Sequence, residues 1–143
     1  MSGTPDAPMS REALQAYMDA SPFISHAGMQ VTHADPDAET LTMTMGLKPE
    51  FERAPGTGQF HGGPIAALID TAGCFGLIMV LGHGVPTVNF RTDYLRPAVN
   101  TALRAVASVR RIGRTVGVVD VDVYDDADRL VAVGRGTFGS QSG

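Results

Sequence analysis

Between His61 and Gly82 the chain runs for twenty residues with a single charged side chain, Asp70. Residues 63–81 show no strand alternation and are rich in Ala, Leu, Ile and Met, which predicts one long helix. Pro64 suits its first turn, where a missing N–H costs nothing, and GHG after Leu81 provides an exit. A helix apolar nearly all round must be covered on several sides, so the rest of the chain has to supply walls. Gly73 and Gly76 each cost about 1 kcal/mol of helix propensity in an exposed host, a cost that close packing can outweigh.

The walls are legible as strands. Leu41, Met43, Met45 and Leu47 alternate with Thr42, Thr44 and Gly46, and MQVTHA precedes them across DPDAE, which predicts a hairpin over residues 29–47. After the helix, residues 87–95 place Val88, Phe90 and Tyr94 on one face. Leu103, Ala105, Ala107 and Val109 form the next stripe, RRIGR marks a turn, and Val119, Val121 and Val123 oppose Asp120 and Asp122 before DDAD turns the chain into a last strand. No crossover helices separate these strands, so an α+β domain with an antiparallel sheet wrapped around the long helix is the simplest architecture. Before the hairpin, Ser10 caps a short helix over residues 10–20 that SPF interrupts; residues 48–60 form a loop delivering the chain to His61.

Composition narrows the function classes. At 143 residues with 43% hydrophobic content the chain fits one domain, and a formal charge of -4 gives no electrostatic reason to expect a nucleic-acid partner. The lone Cys74 excludes an intrachain disulfide framework and fits a reducing, cytoplasmic setting. The N-terminal residues, with an early acid and two prolines, read as a frayed arm rather than a secretory signal. Residues 72–81 alone are too short to span a bilayer, and extending them backwards takes in Asp70 and His61, which predicts no membrane partner. His26, His33 and His83 share no ligand spacing, and no metal site is expected.

HGGPIAALIDTAG, then TVNFRTDYLRPA, then GRTVGVVDVDVYDDADRLVAVGRGTF together resemble the hotdog-fold acyl-CoA thioesterases of the phenylacetate-pathway type, related to the 4-hydroxybenzoyl-CoA thioesterases. The resemblance covers residues 29–138, with 1–28 as an N-terminal arm and short helix and 139–143 as a tail. It implies a homodimer with composite sites between subunits, assembled into a homotetramer. By the same resemblance Asp70 is the catalytic carboxylate, the Gly62 N–H polarises the thioester carbonyl, His61 shapes the site, and Thr87 orients water or the carboxylate. Relatives carry Asn or Gln six residues before the histidine; here that position is Pro55, with Gln59 nearby.

The chemistry supports the pattern independently. Thioester hydrolysis develops negative charge on the carbonyl oxygen, which an amide at a helix start can stabilise, and glycine lets the backbone approach closely. Asp70 can act as general base or as nucleophile. Residues 63 and 70 of a helix lie roughly 10 Å apart along its axis, too far for one carbonyl to touch both ends. A two-fold dimer solves that spacing by setting Asp70 of one subunit against Gly62 of the other.

Each residue also has a plainer role. His61 can cap the helix, Gly62 and Gly63 can form a turn, Asp70 can belong to a buried polar network, Thr87 can be a strand hydroxyl, and Cys74 can be core packing. Arg110, Arg111 and Arg114 are the arginines expected to meet coenzyme A phosphates, with Gln59, Phe60, Gly63, Phe75 and Tyr94 near the acyl group. The expected reaction converts an acyl-CoA with a short aliphatic or aromatic acyl group to a carboxylic acid and coenzyme A. Coenzyme A is part of the substrate, and no separate cofactor is needed. The alternative is a non-hydrolytic acyl-CoA or acyl-lipid binding protein on the same fold.

Overall fold

The structure, a computed structural model, describes residues 6–142; residues 1–5 of the expected arm lie outside the described residues. From residue 6 onward the arm is fastened to the fold. The Met9 N–H donates to the Met79 carbonyl, and Asp6 and Ala7 pack beside Gly82. Ser10 caps helix α1 (Arg11–Asp19) by accepting from the Ala13 N–H. SPF does more than interrupt it: Ser21 caps a second helix, α2 (Pro22–Ala27), whose Pro22 sits at the first helical position. Gln15 ties α1 to the sheet, accepting from the Val31 N–H and donating to the Met29 carbonyl.

The hairpin forms as β1 (Gln30–Asp35) and β2 (Thr40–Met45), and the long helix as α3 (Gly62–Leu81). Four strands follow: β3 (Thr87–Tyr94), β4 (Leu103–Ile112), β5 (Val116–Tyr124) and β6 (Leu130–Gly139). They make one six-stranded antiparallel sheet in the order β1-β2-β4-β5-β6-β3, so β3 is an edge strand. An antiparallel sheet curled around one long helix is the hotdog architecture expected from the sequence.

The alternating stripes bury against α3 as the period of two requires. Leu41, Met43 and Met45, Leu103, Ala105 and Ala107, and Val119, Val121 and Val123 are all within 1% of full burial. The two mid-helix glycines of α3 lie close against strands: a Cβ on Gly73 would lie 2.9 Å from the Phe138 ring, and one on Gly76 would lie 3.3 Å from Ala107 Cβ. By length and composition alone α3 would pass for a membrane span, but 11 of its 20 residues are buried inside this domain.

Three local expectations change. A register shift between Thr87 and Asn89 leaves Val88 outward, 63% exposed; of the expected stripe Phe90 packs against the core, and Tyr94, itself more than half exposed, reaches the start of α3 through its hydroxyl. RRIGR is mostly strand: β4 continues to Ile112 with a bulge between Val109 and Arg111, and the turn itself is short. Strand β6 runs one residue beyond the expected domain end, and Ser140 is buried, its hydroxyl donating to the Gly113 carbonyl.

Candidate active site

The site begins in residues 48–60. Pro49–Phe51 makes a single 3-10 turn, Glu52 bridges Phe60 across the loop, and Gln59 bridges Val99, so the loop is closed on itself and pinned to the segment after β3. Phe51 and Phe60 stack with centroids 6.4 Å apart beneath it. Gly58 takes φ +65° where the Asn100 side chain lies against its Cα, a place no other residue fits easily. Pro55 lies exposed between the bridged pair, in a turn closed by the Thr57 N–H donating to the Ala54 carbonyl.

The first turn of α3 then resolves into four N–H positions. A helix start leaves four donors without intrahelical partners. The His61 N–H donates to the Phe51 carbonyl at 2.7 Å. The Gly63 N–H donates to His61 Nδ1 at 3.0 Å, making His61 the N-cap through its side chain. Pro64 has no N–H. Gly62 alone keeps a free donor: among the described residues no protein group accepts from it. His61 is thus a capping residue, and its Nδ1 accepts, which places the imidazole proton of the neutral ring on Nε2.

Gly62 opens into a cavity of about 380 Å³ lined by Gln59, Phe60, Ile65, Tyr94, Leu95 and Pro97, with Arg53 and Arg96 at its edge. Gln59, two residues before His61, lines the same cavity as Gly62, while position 55 holds a proline. Tyr94 crosses from the end of β3 and donates its hydroxyl hydrogen to the Gly62 carbonyl at 2.7 Å. Asp70 is half-buried two turns further along α3 and accepts from the Thr87 hydroxyl at 2.8 Å, which brings the two predicted residues together at the start of β3. Eight residues of helix separate Gly62 from Asp70, about 12 Å of axial rise.

Other expected residues fall elsewhere. Phe75 is 4% exposed and packs edge-on against Tyr17, so it belongs to the core rather than to this cavity. Arg110 lies on the open face of the sheet beside Asp120, and Arg111 follows it in β4; Arg114 sits in the turn after β4. Arg53 and Arg96, by contrast, line the cavity, and like Arg111 and Arg114 they make no ion pair among the described residues. Arg53 was not singled out by sequence because its loop has no periodicity to assign it a face. Cys74 is one turn beyond Asp70; burial, with the Asp70 charge adding to it, pushes its thiol up to about 12, and it donates to the Val85 carbonyl. Such a thiol stays protonated and packs. Among the described residues no three His, Cys, Asp or Glu side chains converge on a metal position.

A hotdog domain with a free amide at the helix start and a hydroxyl-held aspartate along the same helix has the parts of a thioester-cleaving site. Comparison with known proteins agrees: the chain belongs to the thioesterase superfamily, whose sequence model matches residues 57–132, and it is a thioester hydrolase of that superfamily. A protein of Halobacterium salinarum that bears an esterase name is 36% identical over 143 residues, spanning 93% of each chain. A solved thioesterase-superfamily structure is 30% identical and superposes with a TM-score of 0.86, covering 92% of this chain and 98% of that one. The PaaI protein of the Escherichia coli phenylacetic acid degradation operon is 25% identical with a TM-score of 0.78, covering 90% of both chains.

Proposed function

We propose that this thioesterase hydrolyses acyl-CoA thioesters with short aliphatic or aromatic acyl groups, in the cytoplasm, at sites shared between two subunits. The observation that carries this reading is that Gly62 and Asp70 are held from opposite ends of one edge strand, Tyr94 at Gly62 and Thr87 at Asp70. Among the described residues the outer edge of β3 has no neighbour in the sheet, and Val88, Tyr94 and Leu95 are each more than half exposed along and just beyond it. Antiparallel pairing of β3 with the same strand of a second copy brings the Gly62 end of one subunit to the Asp70 end of the other, and it does so twice.

In such a site the thioester carbonyl oxygen points at the Gly62 N–H. The Asp70 carboxylate takes a proton from water, the resulting hydroxide bonds to the carbonyl carbon, and the tetrahedral oxyanion rests on the amide. Collapse breaks the carbon–sulfur bond, and the proton held by Asp70 goes to the departing thiolate. The products are a carboxylic acid and free coenzyme A. Thr87 occupies Oδ1 of Asp70, which leaves Oδ2 for the water. The 380 Å³ cavity is at the small end of the ligand-site range and suits a short acyl chain or a single ring. Arg53 and Arg96 at its edge offer unpaired positive charge to the anionic substrate.

The test is free-thiol release across a panel of acyl-CoA substrates by the parent protein and by Asp70→Asn. Turnover by the parent, with a loss of about 10²–10⁴-fold in the variant at unchanged oligomeric state, is the expected result. Equal turnover by the variant removes Asp70 from the chemistry. Single turnover in ¹⁸O-labelled water should place one labelled oxygen in the acid; unlabelled acid would replace the water route with attack by Asp70 itself.

A further inference from the structure

The Gly62 amide has a geometric problem that its own hydrogen bond cannot solve. To receive an oxyanion its N–H must stay unbonded, yet an oxyanion donor works only when its direction is fixed beforehand. It also sits in Gly-Gly-Pro, where two successive glycines have more backbone freedom than any other pair. The structure solves this by holding the peptide planes on either side.

A peptide unit is rigid and planar, so fixing its neighbours fixes its orientation. The unit before the free amide, between Phe60 and His61, is held by the His61 N–H donating to the Phe51 carbonyl at 2.7 Å. The unit after it, between Gly62 and Gly63, is held at both ends. Its N–H donates to His61 Nδ1 at 3.0 Å, and its carbonyl accepts the Tyr94 hydroxyl at 2.7 Å. The Tyr94 ring also lies against Gly62 Cα: a Cβ there would stand 3.1 Å from the hydroxyl oxygen and 3.2 Å from the ring carbon bearing it. The phenol therefore occupies the space that a side chain at position 62 would take.

We propose that Tyr94 is a positioning residue that aims the Gly62 amide at the thioester carbonyl, acting through the Gly62–Gly63 peptide. The inference rests on the hydrolytic role of Gly62 proposed above, and it gives a residue read from sequence as a cavity wall a second task. Tyr94 sits at one end of β3 and Thr87 at the other, so a single strand sets the direction of the electrophilic amide and of the carboxylate.

Tyr94→Phe keeps the ring and removes the hydroxyl. We expect kcat to fall about tenfold with KM within about twofold, because the loss is felt where charge develops on the oxygen rather than in ground-state binding. In an Asp70→Asn background that stalls hydrolysis, the carbonyl stretch of bound acyl-CoA, read by infrared difference spectroscopy, should move back toward its free value when Tyr94→Phe is added. A tyrosine that only packs would leave that frequency and the kcat to KM split unmoved, and this result would overturn the proposal. The ¹⁵N relaxation of the Gly62 amide decides the matter even without turnover. Its order parameter should drop in Tyr94→Phe while that of Gly73, mid-helix, stays constant. A parent with no thioesterase activity but with this loss of order defeats the functional reading alone; an active parent whose Gly62 order and kcat are indifferent to Tyr94→Phe defeats the positioning role alone.

Discussion

Thr87 donates its hydroxyl hydrogen to Oδ1 of Asp70 at 2.8 Å, so the first residue of β3 fixes the carboxylate of a residue seventeen positions earlier on α3. A hydrogen bond to a charged acceptor is worth more than a neutral one, and here it also selects which oxygen remains open. Thr87→Val keeps the shape and loses the donor; kcat should fall about tenfold with little change in KM. Thr87→Ser should retain most of the activity. Steady-state kinetics on all three proteins checks this, and a fully active valine variant would show that the bond is incidental.

Of the two glycines in the middle of α3, Gly73 is one the fold cannot fill and Gly76 one it nearly can. Gly73→Ala gains about 1 kcal/mol of helix propensity but drives a Cβ to 2.9 Å from the fully buried Phe138 ring. Overpacking of this kind costs about 1–3 kcal/mol, so the variant should unfold at lower urea than the parent. Gly76→Ala meets Ala107 Cβ at 3.3 Å, a contact a small adjustment relieves, and should stay within about 1 kcal/mol of the parent. Urea titration of the pair tests the ranking; a Gly73→Ala protein as stable as Gly76→Ala would contradict it.

The parts of the fold legible in the sequence are those with a period. Residues 63–81 read as a helix that needs cover on several sides, and the Leu41–Met43–Met45 and Val119–Val121–Val123 stripes read as its walls, as the structure has them. Asp70 and Thr87 were legible through family resemblance, and the structure joins them. What stayed hidden has no local signature. The bulge that turns Val88 outward depends on pairing with β6, and α2 hangs on a Ser-Pro pair that reads equally well as a break. The bond from Tyr94 to Gly62 spans thirty-two residues, and the free state of the Gly62 N–H emerges only once His61, Gly63 and Pro64 are accounted for together.

Asp120 ties the open face of the sheet. Arg135 donates to both of its oxygens, at 2.6 and 3.0 Å, and Arg110 approaches to 3.5 Å. The Arg135 hydrogen bonds hold the Asp120 carboxyl below its usual range; partial burial opposes them, and the charges of Arg135 and Arg110 add to the lowering. A depressed carboxylate contributes stability that is complete above its unfolded value of about 4 and is lost as pH falls through the lower folded value. Urea midpoints of the parent and Asp120→Asn should therefore differ at pH 7 and converge toward pH 3. A difference independent of pH would mean that the ion pair is not its source.

Cys74 gives the opposite sign at the other end of the scale. Its thiol is raised to about 12, first by burial and then by the nearby Asp70 charge, so the folded chain holds the proton more tightly than the unfolded chain does. The associated stability is fully present below the unfolded thiol value of about 8.5 and declines as pH rises from there toward 12. Two results follow. At pH 8 the folded protein should react with iodoacetamide far more slowly than the urea-unfolded chain, because the thiolate is the reacting form. Cys74→Ala should keep its thioesterase activity and lose the part of the alkaline destabilisation that the thiol carries, read as a smaller shift in urea midpoint between pH 8 and pH 10. Rapid alkylation of the folded parent, or loss of turnover in Cys74→Ala at unchanged stability, would contradict a packing role and make the thiol a reacting group.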